Sequence, residues 1–220
     1  MAMLLGGISL LVGDELGRIT QLFPVRDDQN RYSLEQIRQF GDATYAIRDI
    51  LPEQRRKGFL ALDINNGLAI YHSTADRLVF TQSLAPQQPR AVAFSPRANG
   101  LLIEGRGGEV FMLNIRNQHP EVSIASIWQK IWYENYQGPD YVWQSSASTN
   151  ESEPKFSLTP LLFGTLKAAV YAMIFAIPLA LMGAAYTAYF MAPQLRQLVK
   201  PAIEIMAALP TVILGFLAGL

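Results

Sequence analysis

Few residues in this chain could do chemistry. His72 and His119 are the only imidazoles and there is no cysteine. Neither histidine has acidic residues at ligand spacing, so no metal site is expected, and the missing thiols remove disulfides and thiolate ligation. Gly105-Arg-Gly-Gly108 clusters glycines, but it is not Gly-x-Gly-x-x-Gly and no helix follows. It reads as a hairpin turn and not as a phosphate cradle. No Gly-x-x-x-x-Gly-Lys-[Ser/Thr] occurs, so the chain is not expected to hydrolyse ATP itself. Arg55-Arg-Lys57 reads as a solvated turn, and Asn150-Glu-Ser152 matches a glycosylation sequon by pattern only. No nucleophile is paired with a base. The expectation is therefore no catalytic residue, no cofactor and no bound metal.

Charge divides the chain. Of 36 acidic and basic residues only four, Lys167, Arg196, Lys200 and Glu204, lie after position 157. The formal net charge is zero, and no basic excess suggests a nucleic-acid surface. A water-soluble part followed by a lipid-soluble part is expected. Met1 to Val12 is apolar but has no positive residue before it and ends at Gly13-Asp14. It reads as a buried strand, not as a signal peptide or a span.

Residues 1–120 carry short apolar runs separated by Gly, Asn and Pro. Three segments share a strand–turn–strand pattern. Ile8–Val12 leads to Gly17–Phe23, Phe59–Asp63 to Gly67–Tyr71, and Leu101–Ile103 to Glu109–Leu113. Gly17, Gly67 and Gly108 mark the second strands, at spacings of 50 and 41 residues, and Pro52 and Pro96 recur 44 apart. A period of about 40–50 residues with about four strands predicts propeller-like, WD40-like repeats, although the Trp-Asp dipeptide is missing. The alternative is an unrelated β-sandwich. Three repeats do not close a ring, and the first reads as opening in mid-blade, so the domain is expected to be incomplete upstream.

Residues 121–157 change character. Ile124, Ile127, Trp128, Ile131 and Trp132 recur at helical spacing behind Glu121 and Ser123. Tyr133, Tyr136, Tyr141 and Trp143 follow. Trp and Tyr favour the membrane–water interface, so Trp128, Trp132, Tyr133 and Trp143 are candidate interface residues on a short surface-lying helix. The alternative is a helix packed on the β-rich domain. A polar linker, Ser145 to Pro154, comes next.

Ala168 to Leu195 is 28 residues without a charge, and a bilayer core needs about 20. A first span at about 161–192 is predicted, with Pro160 in its first turn and Pro178 inside it. Gly164, Ala168, Ala172, Ala176, Ala180 and Ala184 recur every fourth position, and the row runs on through Ala188 and Ala192. It forms a ridge along which a second helix could approach, or it reflects composition alone. A second apolar stretch, 201–220, reads as a span cut short at the chain's end.

Particular residues carry a resemblance. Phe156-Ser-Leu-Thr-Pro-Leu-Leu-Phe-Gly-Thr-Leu-Lys167, Ile177-Pro-Leu-Ala180 and Ala184-Ala-Tyr186 resemble the start of the permease fold of binding-protein-dependent ABC importers. Pro201, Glu204 and Pro210, followed by Gly215-Phe216, resemble the phosphate-type (PstC/PstA-like) permease subunits, as do Ile131-Trp-Tyr-Glu and Tyr141-Val-Trp-Gln-Ser-Ser146 in their long forms with an extracytoplasmic insertion. The resemblance is close over about residues 120–220 and looser before them. The Glu-Ala-Ala coupling loop of the family is not found.

The resemblance implies a permease subunit importing inorganic phosphate. It also implies a second permease subunit, a cytoplasmic ATPase subunit, a periplasmic substrate-binding protein and membrane lipid as partners. The predicted fold class is mixed: an all-β, partial propeller-like domain (1–120), an interfacial helix and linker (121–157), and the start of an α-helical transmembrane permease segment (158–220). Alternatives are a permease for another solute or a membrane-anchored sensor or scaffold. Arg196 and Lys200 follow the first span, whereas Glu151 and Glu153 outnumber Lys155 before it. The positive-inside bias then puts residues 1–157 in the periplasm and Gln194–Pro201 in the cytoplasm of a multi-pass inner-membrane protein.

Overall fold

The computed structural model describes residues 1–41, 44–116, 118–146, 153–208 and 211–219. Its contacts divide the chain into two compact units, Met1–Phe163 and Gly164–Leu220.

The first unit is built from antiparallel sheets whose strands follow chain order. One sheet contains β1 (Ala2–Met3), β2 (Leu10–Gly13), β3 (Ile19–Arg26) and β4 (Tyr32–Phe40). A second contains β5 (Ile47–Pro52), β6 (Gly58–Asp63), β7 (Gly67–His72) and β8 (Arg77–Ser83). A third contains β9 (Pro89–Phe94), β10 (Gly100–Gly105) and β11 (Val110–Asn114). A small fourth sheet pairs β12 (Trp143–Gln144) with β13 (Lys155–Phe156).

The three predicted strand–turn–strand segments are the β2–β3, β6–β7 and β10–β11 hairpins. The β2–β3, β3–β4 and β6–β7 turns share a device. The Asp14 carboxylate accepts from the backbone N–H of Leu16 and Arg18, Asp27 from those of Gln29 and Arg31, and Asp63 from those of Asn65 and Gly67. These are Asx-type turns, in which the side chain replaces a backbone acceptor. The Arg18 backbone N–H is the main reason the Asp14 carboxyl titrates below its usual range, and Arg31 does the same for Asp27. Gly17 needs its glycine: φ is +84°, and an added Cβ would lie 2.5 Å from the Tyr45 carbonyl oxygen.

The two central strands of the middle sheet, β6 and β7, are buried on both faces. Along β6, alternate side chains point opposite ways. Phe59 and Ala61 pack with Leu11, Ile19, Phe40 and Tyr71 of the first core. Leu60 and Leu62 pack with Leu68, Ile70, Leu101 and Ile103 of the second. Phe40, Phe59 and Tyr71 form an aromatic cluster with centroids 5.2–5.6 Å apart.

The amino-terminal stretch is not one strand. Gly6 and Gly7, at φ +87° and +66°, reverse the chain so that β1 pairs with β2. The aromatic helix is also shorter than its spacing predicts. Helix α1 (Ile124–Trp128) starts with a capping box between Ser123 and Ser126, but Gln129 is already extended. Ile131 instead bridges Asp140, because pairing and burial of Ile131 outweigh continuation of a marginal helix.

Helix α2 (Thr159–Ala185) passes through Pro178 and continues into a π-helical turn, Tyr186–Phe190, where the Thr187 hydroxyl donates to the Gly183 carbonyl at 2.7 Å. Helix α3 (Pro193–Ala208) and helix α4 (Thr211–Ala218) follow.

The predicted fold class is corrected here. Among the described residues the chain is mainly β, in four small antiparallel sheets, with four α-helices of which only the second is long and apolar enough to cross a membrane. A propeller-like domain joined to a multi-span permease segment is not what the chain builds. Pro201 lies inside α3 and does not open a span. That helix carries Arg196, Lys200 and Glu204, and α4 has only eight residues.

Candidate functional site

The most elaborate side-chain arrangement in the first unit is a buried polar seam. Lys57 ends the β5–β6 turn and its side chain is 4% exposed. Its ammonium donates to the Leu5 carbonyl and to Glu134 Oε2, each at 2.5 Å. Glu134 Oε1 accepts from the Ser9 hydroxyl at 2.6 Å, and Ser9 Oγ accepts from Gln21 Nε2 at 2.9 Å. Gln21 Oε1 accepts from Arg38, whose other nitrogen donates to the Trp132 carbonyl at 2.6 Å. Thr74 donates to the Glu153 carboxylate. The first two sheets are thereby fastened to residues 131–136 and 153.

The network satisfies charges that would otherwise be costly to bury. Burial, ahead of neighbouring charge, pushes Glu153 up and Arg38 down from their usual ranges. Buried His72 accepts from the Ala75 backbone N–H on Nδ1 and titrates down at about 4, so it is neutral in the folded unit at pH 7. Ser9, Glu134 and Lys57 superficially suggest an acyl-transfer triad. Ser9, however, is fully buried, its hydroxyl donates to a carboxylate, and the nearby cavity of about 120 Å³ is not lined by it. The seam is a fastening, not a reaction centre.

The aromatic residues meet this seam. Trp132 stands edge-on to Phe23 at 6.1 Å and donates from its indole to the Tyr136 carbonyl. Tyr133 is buried, and burial pushes its phenol up to about 12. Lys155 lies 5.4 Å from the centroids of both Tyr133 and Tyr136. Trp128 and Trp143 keep exposed area, the latter packed on Phe156 across the β12–β13 pair. Of the four candidate interface residues, Trp132 and Tyr133 thus find their partners inside the unit. From this hairpin the Ser157 N–H donates to the Val142 carbonyl and the Leu158 N–H to the Ile127 carbonyl, immediately before α2 begins.

Gly164, Ala168, Ala172, Ala176, Ala180 and Ala184 all lie on α2, where no residue is buried. Nothing stands within 4 Å of a Cβ added to Gly164. Pro201 and Glu204 lie on α3, and Gly215 and Phe216 on α4. Pro210 is outside the described residues.

Two expectations need correction. Lys57 is not in a solvated turn but is the centre of the buried seam, and Glu153, assigned to a linker, is held by Thr74. Partners 77 and 79 residues apart leave no local signal. His119 is exposed with Nδ1 3.1 Å from Glu121, and no group of three potential metal ligands forms among the described residues. No protein-family model and no curated protein matches this chain.

Proposed function

We propose that the chain is a membrane-attached subunit of a binding-protein-dependent importer of inorganic phosphate, with ATP hydrolysis carried out by a separate subunit. The observation that carries the membrane part is the helix from Thr159 to Phe190, 32 residues long and without a buried position in its most apolar window. A helix apolar on all sides needs an apolar medium or other helices around it. The importer class is supported by the resemblance of the Phe156–Lys167 segment and of Pro201, Glu204, Gly215 and Phe216 to phosphate-type subunits. In this reading the β-rich unit lies in the periplasm of a bacterial inner-membrane protein, and the seam braces the residues leading into the helix. The partners are a second membrane subunit, the ATPase and a periplasmic binding protein.

Disruption of the gene should abolish high-affinity phosphate uptake. Normal uptake in a strain with no paralogue would remove the phosphate assignment. Residues 137 and 197 test topology. In spheroplasts a membrane-impermeant thiol reagent should label Gln137→Cys and spare Gln197→Cys, and the reverse pattern would invert the orientation.

That only one long apolar helix occurs among the described residues also favours a second reading, a periplasmic sensor or scaffold anchored by one span. Unimpaired uptake, with the chain still resisting alkaline extraction from membranes, would select it.

A further inference from the structure

Away from the seam, the loops at one end of the second and third sheets enclose a cavity of about 680 Å³. Four guanidinium groups line it, Arg55 and Arg56 from the β5–β6 turn, Arg97 from the β9–β10 turn and Arg116 just after β11. Among the described residues Glu121 is the one carboxylate in the lining, and His119 has Nδ1 3.1 Å from it.

Arg56 is braced by Glu53 at 3.1 Å. Arg55, Arg97 and Arg116 make no hydrogen bond or ion pair among the described residues. The loop bearing Arg97 is well built. The Ser95 hydroxyl oxygen accepts from the backbone N–H of Asn99 and Gly100, and Ala98 is buried at φ +54°.

Gathering four cations around one carboxylate in an open concavity is unfavourable by itself, and an anion reverses the sign of that interaction. Guanidinium forks match phosphoryl oxygens in pairs. The volume falls in the range of sites for small organic ligands, about 300–1,000 Å³, rather than fitting a single tetrahedral oxyanion.

We propose that this cavity binds an anion bearing two phosphoryl groups, held by Arg55, Arg97 and Arg116 with Arg56 as the braced fourth cation. The site belongs to the β-rich unit alone and stands whether or not the chain takes part in phosphate import. Two sources share the chemistry, a soluble pyrophosphate or its ester, and the headgroup of a diphosphatidyl lipid.

The test is calorimetric titration of pyrophosphate into the full chain in phosphatidylcholine nanodiscs, repeated in nanodiscs containing cardiolipin. Saturable binding below about 1 mM is expected in the first. If it persists in the second the natural ligand is soluble, and if cardiolipin abolishes it the ligand is the lipid headgroup. Arg97→Gln and Arg116→Gln, both at exposed positions, should each weaken binding about tenfold, with unchanged circular dichroism. Arg26→Gln, outside the cavity, should leave it unaltered. Absence of saturable binding in phosphatidylcholine discs, or binding insensitive to both cavity variants, would overturn the proposal.

Discussion

Strand β6 and helix α2 are both strongly apolar, yet their surroundings are opposite. Five consecutive residues of β6, Gly58 to Leu62, are buried because one sheet covers each face. None of the 27 residues of α2 is buried. A six-residue run bounded by Gly58 and Asp63 can be satisfied by neighbouring strands. A helix of 32 residues that is apolar on every side has no such cover within its own unit. Apolar content alone does not separate a core from a membrane segment; length and what covers the surface do.

The largest difference should appear on truncating the covered face. Phe59→Ala removes a fully buried ring that stacks on Tyr71 and meets Phe40 edge-on. A loss of about 3–5 kcal/mol in the urea unfolding of the β-rich unit is expected. A loss under about 1 kcal/mol would mean that the first two sheets do not share this core.

Next in size is the seam. Lys57→Met strands the Glu134 carboxylate, with an expected cost of about 3 kcal/mol. Adding Glu134→Gln should recover part of that cost, because the unpaired charge is gone. Equal losses in the single and double variants would show that the pair acts only through packing.

Acid should weaken the same region by a comparable amount. The folded pKa of His72 is about 4, below its unpaired value of 6.5, so the unfolded chain takes up the proton first. The stability gained by keeping His72 neutral is full above pH 6.5 and is lost as pH falls toward 4, by up to about 3 kcal/mol. Glu53 and Glu153, both raised by burial, act with the opposite sign as they take up protons. Comparison with His72→Asn isolates the histidine. The variant's amide oxygen can still accept from Ala75, and its stability should fall less between pH 6.5 and 4. Parallel curves would assign the acid sensitivity elsewhere.

The smallest effect is expected on the uncovered side. Ala176→Leu lies on exposed α2 and should change the unfolding of the β-rich unit by less than about 0.5 kcal/mol. If the alanine ridge receives a partner helix, the same variant should reduce recovery of the complex from membranes, and unchanged recovery would assign the ridge to lipid.

Local pattern was enough for several features. The three hairpins follow from apolar alternation ending in Asn-Gly or Gly-containing turns, and α2 from its uncharged length. The Ser123 cap is likewise a short-range signal. Asp14, Asp27 and Asp63 were also legible in principle, each lying at the first turn position with a partner amide four residues on.

Only the tertiary structure decided which charges leave water. Lys57 within Arg55-Arg-Lys57 has no local mark separating it from its neighbours, yet it is buried against Glu134 while Arg55 and Arg97 face a common cavity. Burial of a lysine depends on a carboxylate brought from 77 residues away, and no period or spacing encodes that distance. The end of α1 was likewise set from outside. Ile131 continues the helical stripe by spacing, but the ladder to Asp140 and the cover over its side chain are available only once the chain has folded back. Short-range periodicity determines what an element can be, and long-range contact determines where it stops and which of its polar groups are paid for by partners.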